Sequence, residues 1–375
     1  MTSANGRPAL TLIVAGDPGQ RTGGYLYDAR IVAVLRDRGW RVDVVGLAGR
    51  FPQPDQTARR HMAATLASLP DAALVVIDGL AMGGLPEEVE CHAKRLCLVA
   101  LVHHPLADET GLDPAQQQRL RDSEARALAA ARRVIVTSRF TARVLADYGV
   151  SDARLRVVEP GVDPSPLASG ALGDPPVQRP WRLLCVATLT PRKGLDVLVE
   201  ALSGLSDRPW HCEVIGSDQR DVAHANALVA HTQRLGLAAQ LRFVGERSAE
   251  ALAKAYSEAD LFVLPSYYEG YGMVVTEALS RGLPVITTTG GALADTLPGD
   301  AGLAVPPGDA AALREALKRW MDSAELRQRL RRGALRERRA LADWTSAGAR
   351  FAAALATLPE APLGAVDRPK QRLSG

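Results

Sequence analysis

The stretch PSYYEGYGMVVTEALSRGLPVITT at residues 265–288 places two carboxylates, Glu269 and Glu277, eight positions apart across a strand-to-helix turn. Glu269 stands just ahead of a helix that begins near Gly272, and Glu277 lies more than one turn inside it. So placed, they do not flank one bond as a glycosidase pair does. They can instead hold two separate parts of an extended ligand. Gly270 and Gly272 leave backbone N–H groups between them open to a negative group. A glutamate near a helix start can also be a simple dipole partner. Glu277, however, sits among Val274, Val275, Ala278 and Leu279, where a charge calls for a specific partner.

Three more loops carry side chains of use. In VATLTPRKGLDVLVEAL a strand runs into Arg192, Lys193 and Gly194 and then a helix, a setting that suits a diphosphate and equally a solvated basic turn. In LVALVHHPLADETGL, His103 and His104 follow an apolar strand; a histidine there can donate to an oxygen, move a proton, or simply cap a loop. A metal needs more ligands than this pair, and the sequence offers no obvious third. In AGDPGQRTGGYLYDARIVAVLRDRG, Gly23 and Gly24 open a helix where a ligand could approach the backbone, although the spacing is not G-x-G-x-x-G.

These loops all follow strands. Short apolar runs alternate with helical periods along most of the chain: LTLIVAG, RVDVVGL, ALVVID, CLVALVHH, RVIVTS and LRVVEPG, then RLLCVATL, HCEVIG, LRFVG, DLFVLP, PVITTT and GLAVPP. Such alternation predicts an α/β protein of two doubly wound, Rossmann-like domains, each a parallel sheet covered by helices. Open parallel sheets bind ligands at the carboxyl ends of their strands, where the four loops lie. The expected divisions are an acceptor-side domain over 1–165, a Pro/Gly/Ser-rich linker over 166–180 and a second domain over 181–342. A helix over 343–358 and a polar tail over 359–375, expected to be disordered, complete the chain.

A chain of 375 residues exceeds one ordinary core, and its composition is that of a soluble globular protein. The net charge of +3 gives no basic footprint for nucleic acid. Cys91, Cys97, Cys185 and Cys212 form no C-x-x-C pair and fit a reducing cytoplasm, with Cys185 and Cys212 expected in buried strands. No run reaches the roughly 18–20 apolar residues of a membrane span. The arginine-rich helices, around Arg119–Arg133 and after Pro306, read as solvated faces. Peripheral contact with the inner face of a membrane stays open without support.

In this order along the chain, the motifs resemble the retaining glycosyltransferases of family 4, which have the GT-B fold of two domains facing a central cleft. The resemblance runs to about residue 355, and its most specific element is the E-x7-E pair in its strand–loop–helix setting. It implies transfer of a hexose-type sugar from a nucleoside-diphosphate sugar to an acceptor hydroxyl, with retention at the anomeric carbon. The donor would be a co-substrate, with no cofactor and no metal. By the resemblance, Glu269 contacts the donor sugar, Glu277 holds the ribose hydroxyls, and Gly270, Tyr271, Gly272 and Met273 offer backbone contacts. Lys193 takes the diphosphate, His103 lies near the sugar and the reaction centre, and Gly23 and Gly24 approach the phosphates and acceptor. The final helix would cross back to the first domain.

Two departures stand out. Ala187-Thr188 occupies the place of the family's Gly-Arg pair, whose arginine also holds the diphosphate, and Asp295 stands where a glutamate is common. The missing arginine gives some weight to a degenerate GT-B protein serving as a nucleotide-binding or scaffold subunit. A GT-B nucleotide-sugar epimerase is a further alternative. A phosphorylase would need a pyridoxal lysine site that the sequence does not display.

Overall fold

The computed structural model describes residues 8–174 and 179–358; the tail over 359–375 therefore lies outside the described residues. Among the described residues, twelve strands form where the twelve apolar runs lie. The first six are β1 (Ala9–Ala15), β2 (Arg41–Leu47), β3 (Leu74–Asp78), β4 (Cys97–Val102), β5 (Arg133–Val136) and β6 (Leu155–Val157). The second six are β7 (Trp181–Val186), β8 (Trp210–Ile215), β9 (Leu241–Phe243), β10 (Leu261–Leu264), β11 (Val285–Thr288) and β12 (Gly302–Val305). They make two parallel sheets, ordered β2-β1-β3-β4-β5-β6 and β12-β11-β10-β7-β8-β9.

Both sheets are buried on both faces, which is why their strands read as continuous apolar runs. Along β1 the side chains alternate between two cores. Ile13 and Ala15 pack with Val75, Ile77, Leu98 and Val102, whereas Leu12 and Val14 pack with Val76, Val99 and Leu101 on the other face. The second domain has one large core, including Trp210, Phe262 and Trp320.

The strand order reverses between β1 and β3 in one sheet and between β7 and β10 in the other. Loops diverge at such switch points and leave a crevice. The chain after β1 leads to Gly23, and that after β7 to Lys193. β10 leads to Glu269, and Asp78 is itself the last residue of β3.

The Trp344–Ala356 helix packs on the first domain. Trp344, Ala347, Phe351 and Leu355 join the core formed by Leu10, Leu12, Tyr27 and Ile31. Gly348 permits this approach: a Cβ there would come within 2.3 Å of Val34 Cγ1. Between the domains, Ser169–Leu172 form a short helix within the expected linker.

The arginine-rich Ala324–Ala340 helix departs from the expected solvated face. Arg327 is buried, donates to the carbonyls of Trp320 and Met321, and stacks 4.7 Å from the Trp181 ring centroid. Arg327 and Arg331 both grip Asp174. Part of the cluster thus fastens the interdomain segment to the second domain, because a guanidinium can satisfy several carbonyls and a carboxylate at once.

Candidate active site

On the second domain's side, the chain leaves β7 and makes a single 3-10 turn over Pro191–Lys193 before the Leu195–Ser203 helix. Gly194 joins them with φ +61°, and a Cβ there would meet Pro265 O at 2.3 Å. The turn is thereby pressed against the end of β10, and Lys193 meets Glu269. Lys193 Nζ donates to Glu269 Oε1 at 2.5 Å, and Ser266 Oγ donates to the same oxygen at 2.7 Å. Arg192 donates to Tyr268 O at 2.7 Å and lies 3.5 Å from Glu269 Oε2.

Burial alone would raise the Glu269 carboxyl, but the charges of Lys193 and Arg192 pull it down to about 2. At Lys193 burial wins: despite the Glu269 charge, the ammonium is held below its ordinary range, with Arg192 adding to the effect.

Gly272, at φ +90°, precedes the Met273–Leu279 helix. Glu277 on that helix has the partner its apolar surroundings call for: Tyr256 Oη donates to Glu277 Oε2 at 2.9 Å, and Arg281 stacks 4.4 Å from the Tyr256 ring centroid. Burial still keeps the Glu277 carboxyl above its ordinary value. The two glutamates thus have separate environments, Glu269 among cations and Glu277 against a phenol. Tyr271 contributes its carbonyl to Thr296 Oγ1 at 2.6 Å, and Met273 packs against the first domain's core.

On the first domain's side, His103 follows β4 directly. Its Nε2 lies 3.1 Å from Asp28 Oδ1 and 3.5 Å from Asp78 Oδ2. Asp28 comes from the Gly23–Asp37 helix, and both carboxylates are buried. Burial disfavours the charged imidazole, yet the two carboxylates outweigh it and His103 titrates above its ordinary range. Asp78 is pushed up to about 7 by burial, with the His103 charge opposing and the Asp28 charge adding. Gly24 lies against the histidine ring, where a Cβ would be 3.1 Å from Cδ2, while Gly23 has open space around it.

The two sides meet across the cleft. A Cβ on Gly270 would come within 2.1 Å of His103 O, so only glycine permits this closeness. Tyr268 Oη donates to Asp108 Oδ2 at 2.9 Å, Arg192 pairs with Glu109 at 3.2 Å, and Arg143 pairs with Asp295 at 2.6 Å. His103, Gly24, Gly270, Glu269 and Lys193 are therefore linked in one neighbourhood, and Glu277 stands off beside Tyr256.

Sequence reasoning missed Asp28, Asp78, Asp108 and Glu109. It found no third ligand beside the histidine pair, but Asp28, Asp78 and His103 bring three metal-capable atoms within 4.8 Å of one another. It also missed Glu124, fully buried, whose Oε2 accepts from Leu106 N at 2.9 Å and whose carboxyl burial drives to about 8. Cys185 and Cys212 are buried as expected. No helix among the described residues is long and apolar enough to cross a membrane.

Two parallel six-stranded sheets with loops meeting at a shared cleft define a GT-B protein. A sucrose-phosphate synthase from Thermosynechococcus elongatus has this fold at TM-score 0.78, 24% identical, covering 92% of this chain and 98% of that one. Anabaena HepE in complex with UDP-glucose superposes at TM-score 0.71, 17% identical, over 92% of this chain and 99% of that one. Residues 29–166 match the model described as Glycosyltransferase Family 4, and residues 175–337 match Glycosyl transferases group 1. The chain belongs to this family of glycosyltransferases. Mannosylfructose-phosphate synthase from Agrobacterium fabrum is 30% identical over 215 residues, 54% of this chain and 47% of that protein. Such alignments span about half the length of the curated relatives.

Proposed function

We propose that the protein transfers a hexose-type sugar from a nucleoside-diphosphate sugar to an acceptor hydroxyl, with retention and without a metal. The observation that carries this reading is the pairing of half-buried Lys193 with buried Glu269 at the end of β10, packed across the cleft from His103. Support for the donor class comes from HepE, a protein of the same fold solved with UDP-glucose.

Breaking the donor's anomeric bond builds negative charge on the diphosphate and cationic character on the sugar. Lys193 supplies the opposing charge for the first, already oriented and partly desolvated, so little reorganisation remains at the moment of reaction. Arg192 sits in the same pocket and offers a second cation despite Thr188 in the usual arginine's place. Glu269 would hold the sugar hydroxyls and Glu277 the ribose, with Gly270, Tyr271, Gly272 and Met273 lining the path between them. The acceptor attacks from the leaving-group face, where the departing diphosphate can take its proton. Closure over the His103–Gly270 contact excludes water and limits donor hydrolysis.

Thr188 favours a second reading, a degenerate subunit that binds nucleotide without turnover. Thermal shift of the full chain against UDP, GDP, ADP and their sugar conjugates tests both. Stabilisation by one base and its conjugate, followed by nucleotide release from that conjugate, is expected. Stabilisation without release supports the subunit, and no stabilisation by any of the panel sinks the donor site.

A further inference from the structure

The transfer chemistry leaves the buried Asp28 carboxylate unused. Asp28 lies in the second turn of the Gly23–Asp37 helix, 5% exposed, and no lysine or arginine among the described residues pairs with it. Its one side-chain hydrogen bond among those residues is to His103 Nε2, at 3.1 Å. Asp78 reaches the same nitrogen only at 3.5 Å, beyond good hydrogen-bond length, and its Oδ1 is occupied by Leu80 N at 3.0 Å.

The same helix builds the rest of the slot. Gly24 lies flat against the imidazole, and Tyr27 meets it edge to face at 5.4 Å between centroids. The histidine's carbonyl accepts from Thr137 Oγ1 at 3.3 Å and is covered across the cleft by Gly270. Nδ1 alone has no hydrogen-bond partner among the described residues.

Resting on the reading that His103 works at the reaction centre, we propose that Asp28 is a positioning residue for it: the carboxylate accepts a hydrogen bond from Nε2–H, fixes the ring's tautomer and plane, and leaves Nδ1 as the edge that meets substrate. A neutral His103 then accepts a hydroxyl's hydrogen bond at Nδ1, and a charged one donates there to an oxygen gaining negative charge. The carboxylates of Asp28 and Asp78 favour the charged form. The helix that brings Gly23 and Gly24 to the cleft therefore also sets the histidine.

The decisive measurement is 15N NMR of histidine-labelled full-length protein, with the His103 signal assigned by its loss in His103→Gln. The parent should show the Nε2–H tautomer and a titration midpoint above about 6.5. Asp28→Asn, which keeps the shape and removes the charge, should lower that midpoint by about one pH unit. With UDP-glucose as donor, UDP release should fall about tenfold in kcat with KM within about twofold, and the alkaline limb of kcat should move to lower pH by the same amount.

An Nδ1–H tautomer in the parent, or a midpoint that Asp28→Asn leaves in place, overturns the assignment. So does a His103 signal that shifts with added Zn2+ together with activity lost to chelator, because a metallated Nε2 has no N–H to donate to Asp28. Should Asp28→Asn fail to fold, the parent's tautomer and midpoint decide. A parent that releases no UDP while His103 titrates as expected counts against the donor reading, not against Asp28's hold on the ring.

Discussion

The two walls of the cleft are built alike, with opposite arrangements of charged groups. Each is the carboxyl edge of a parallel sheet at its switch point. On the second domain's wall two cations, Lys193 and Arg192, surround a single carboxylate, Glu269. On the first domain's wall two carboxylates, Asp28 and Asp78, surround a single histidine. Each central group is held in its charged form against burial, Glu269 down at about 2 and His103 above its ordinary range. The same fold thus presents one wall with cationic excess, suited to a diphosphate, and one whose carboxylates hold an imidazole in its charged form.

The largest expected effect comes from erasing the cationic wall. Lys193→Ala should lower kcat/KM by about 10³-fold, in line with removing a preorganised charge from a reacting site. A variant that keeps more than a tenth of parental turnover would move the diphosphate elsewhere and dissolve the contrast.

The next test separates the two glutamates. Glu269→Gln should cut kcat about 100-fold while nucleoside diphosphate still binds, and Glu277→Ala should weaken nucleotide binding about tenfold. Isothermal titration beside steady-state kinetics distinguishes them; equal losses on bare nucleotide would mean one shared site. The glutamine variant is preferred because it keeps an acceptor oxygen for Lys193 Nζ and Ser266 Oγ, which Glu269→Ala would leave unsatisfied.

The smallest effect concerns the support beneath the first domain's wall. Glu124 has a raised folded pKa of about 8, so its stabilising contribution is full below its unfolded value and declines as pH rises through 8. Glu124→Gln keeps an acceptor for Leu106 N without the charge. Its melting midpoint should exceed the parent's by about 2 °C at pH 8.5, and the gain should vanish near pH 5. A lower midpoint at both pH values would mean that the charge itself is wanted there.

The strands and the strand–turn–helix segment carrying both glutamates were legible because a sheet buried on two faces leaves unbroken apolar runs. Strand order was not, since the β7–β10 pairing joins segments far apart in the chain. Asp28 was hidden because an aspartate in YLYDARIV looks like an ordinary helix residue until the fold turns it toward β4. Asp78 read only as the end of ALVVID. Glu124 and Arg327 lie in charged helices, where solvent is the default expectation, and only the packed helix shows which charge faces inward. Separation in sequence is the common cause: His103 meets a carboxylate 75 residues earlier in the chain.

The Trp344–Ala356 helix also has a consequence for how the molecule is made. The apolar side of the first domain bearing Tyr27, Ile31 and Val34 is covered by Trp344, Ala347 and Phe351. A ribosome finishes the first sheet long before it reaches those residues. Through synthesis of the whole second domain that surface stands open, a ready place for a chaperone to hold, and the first domain is sealed only by nearly the last described residues of the chain.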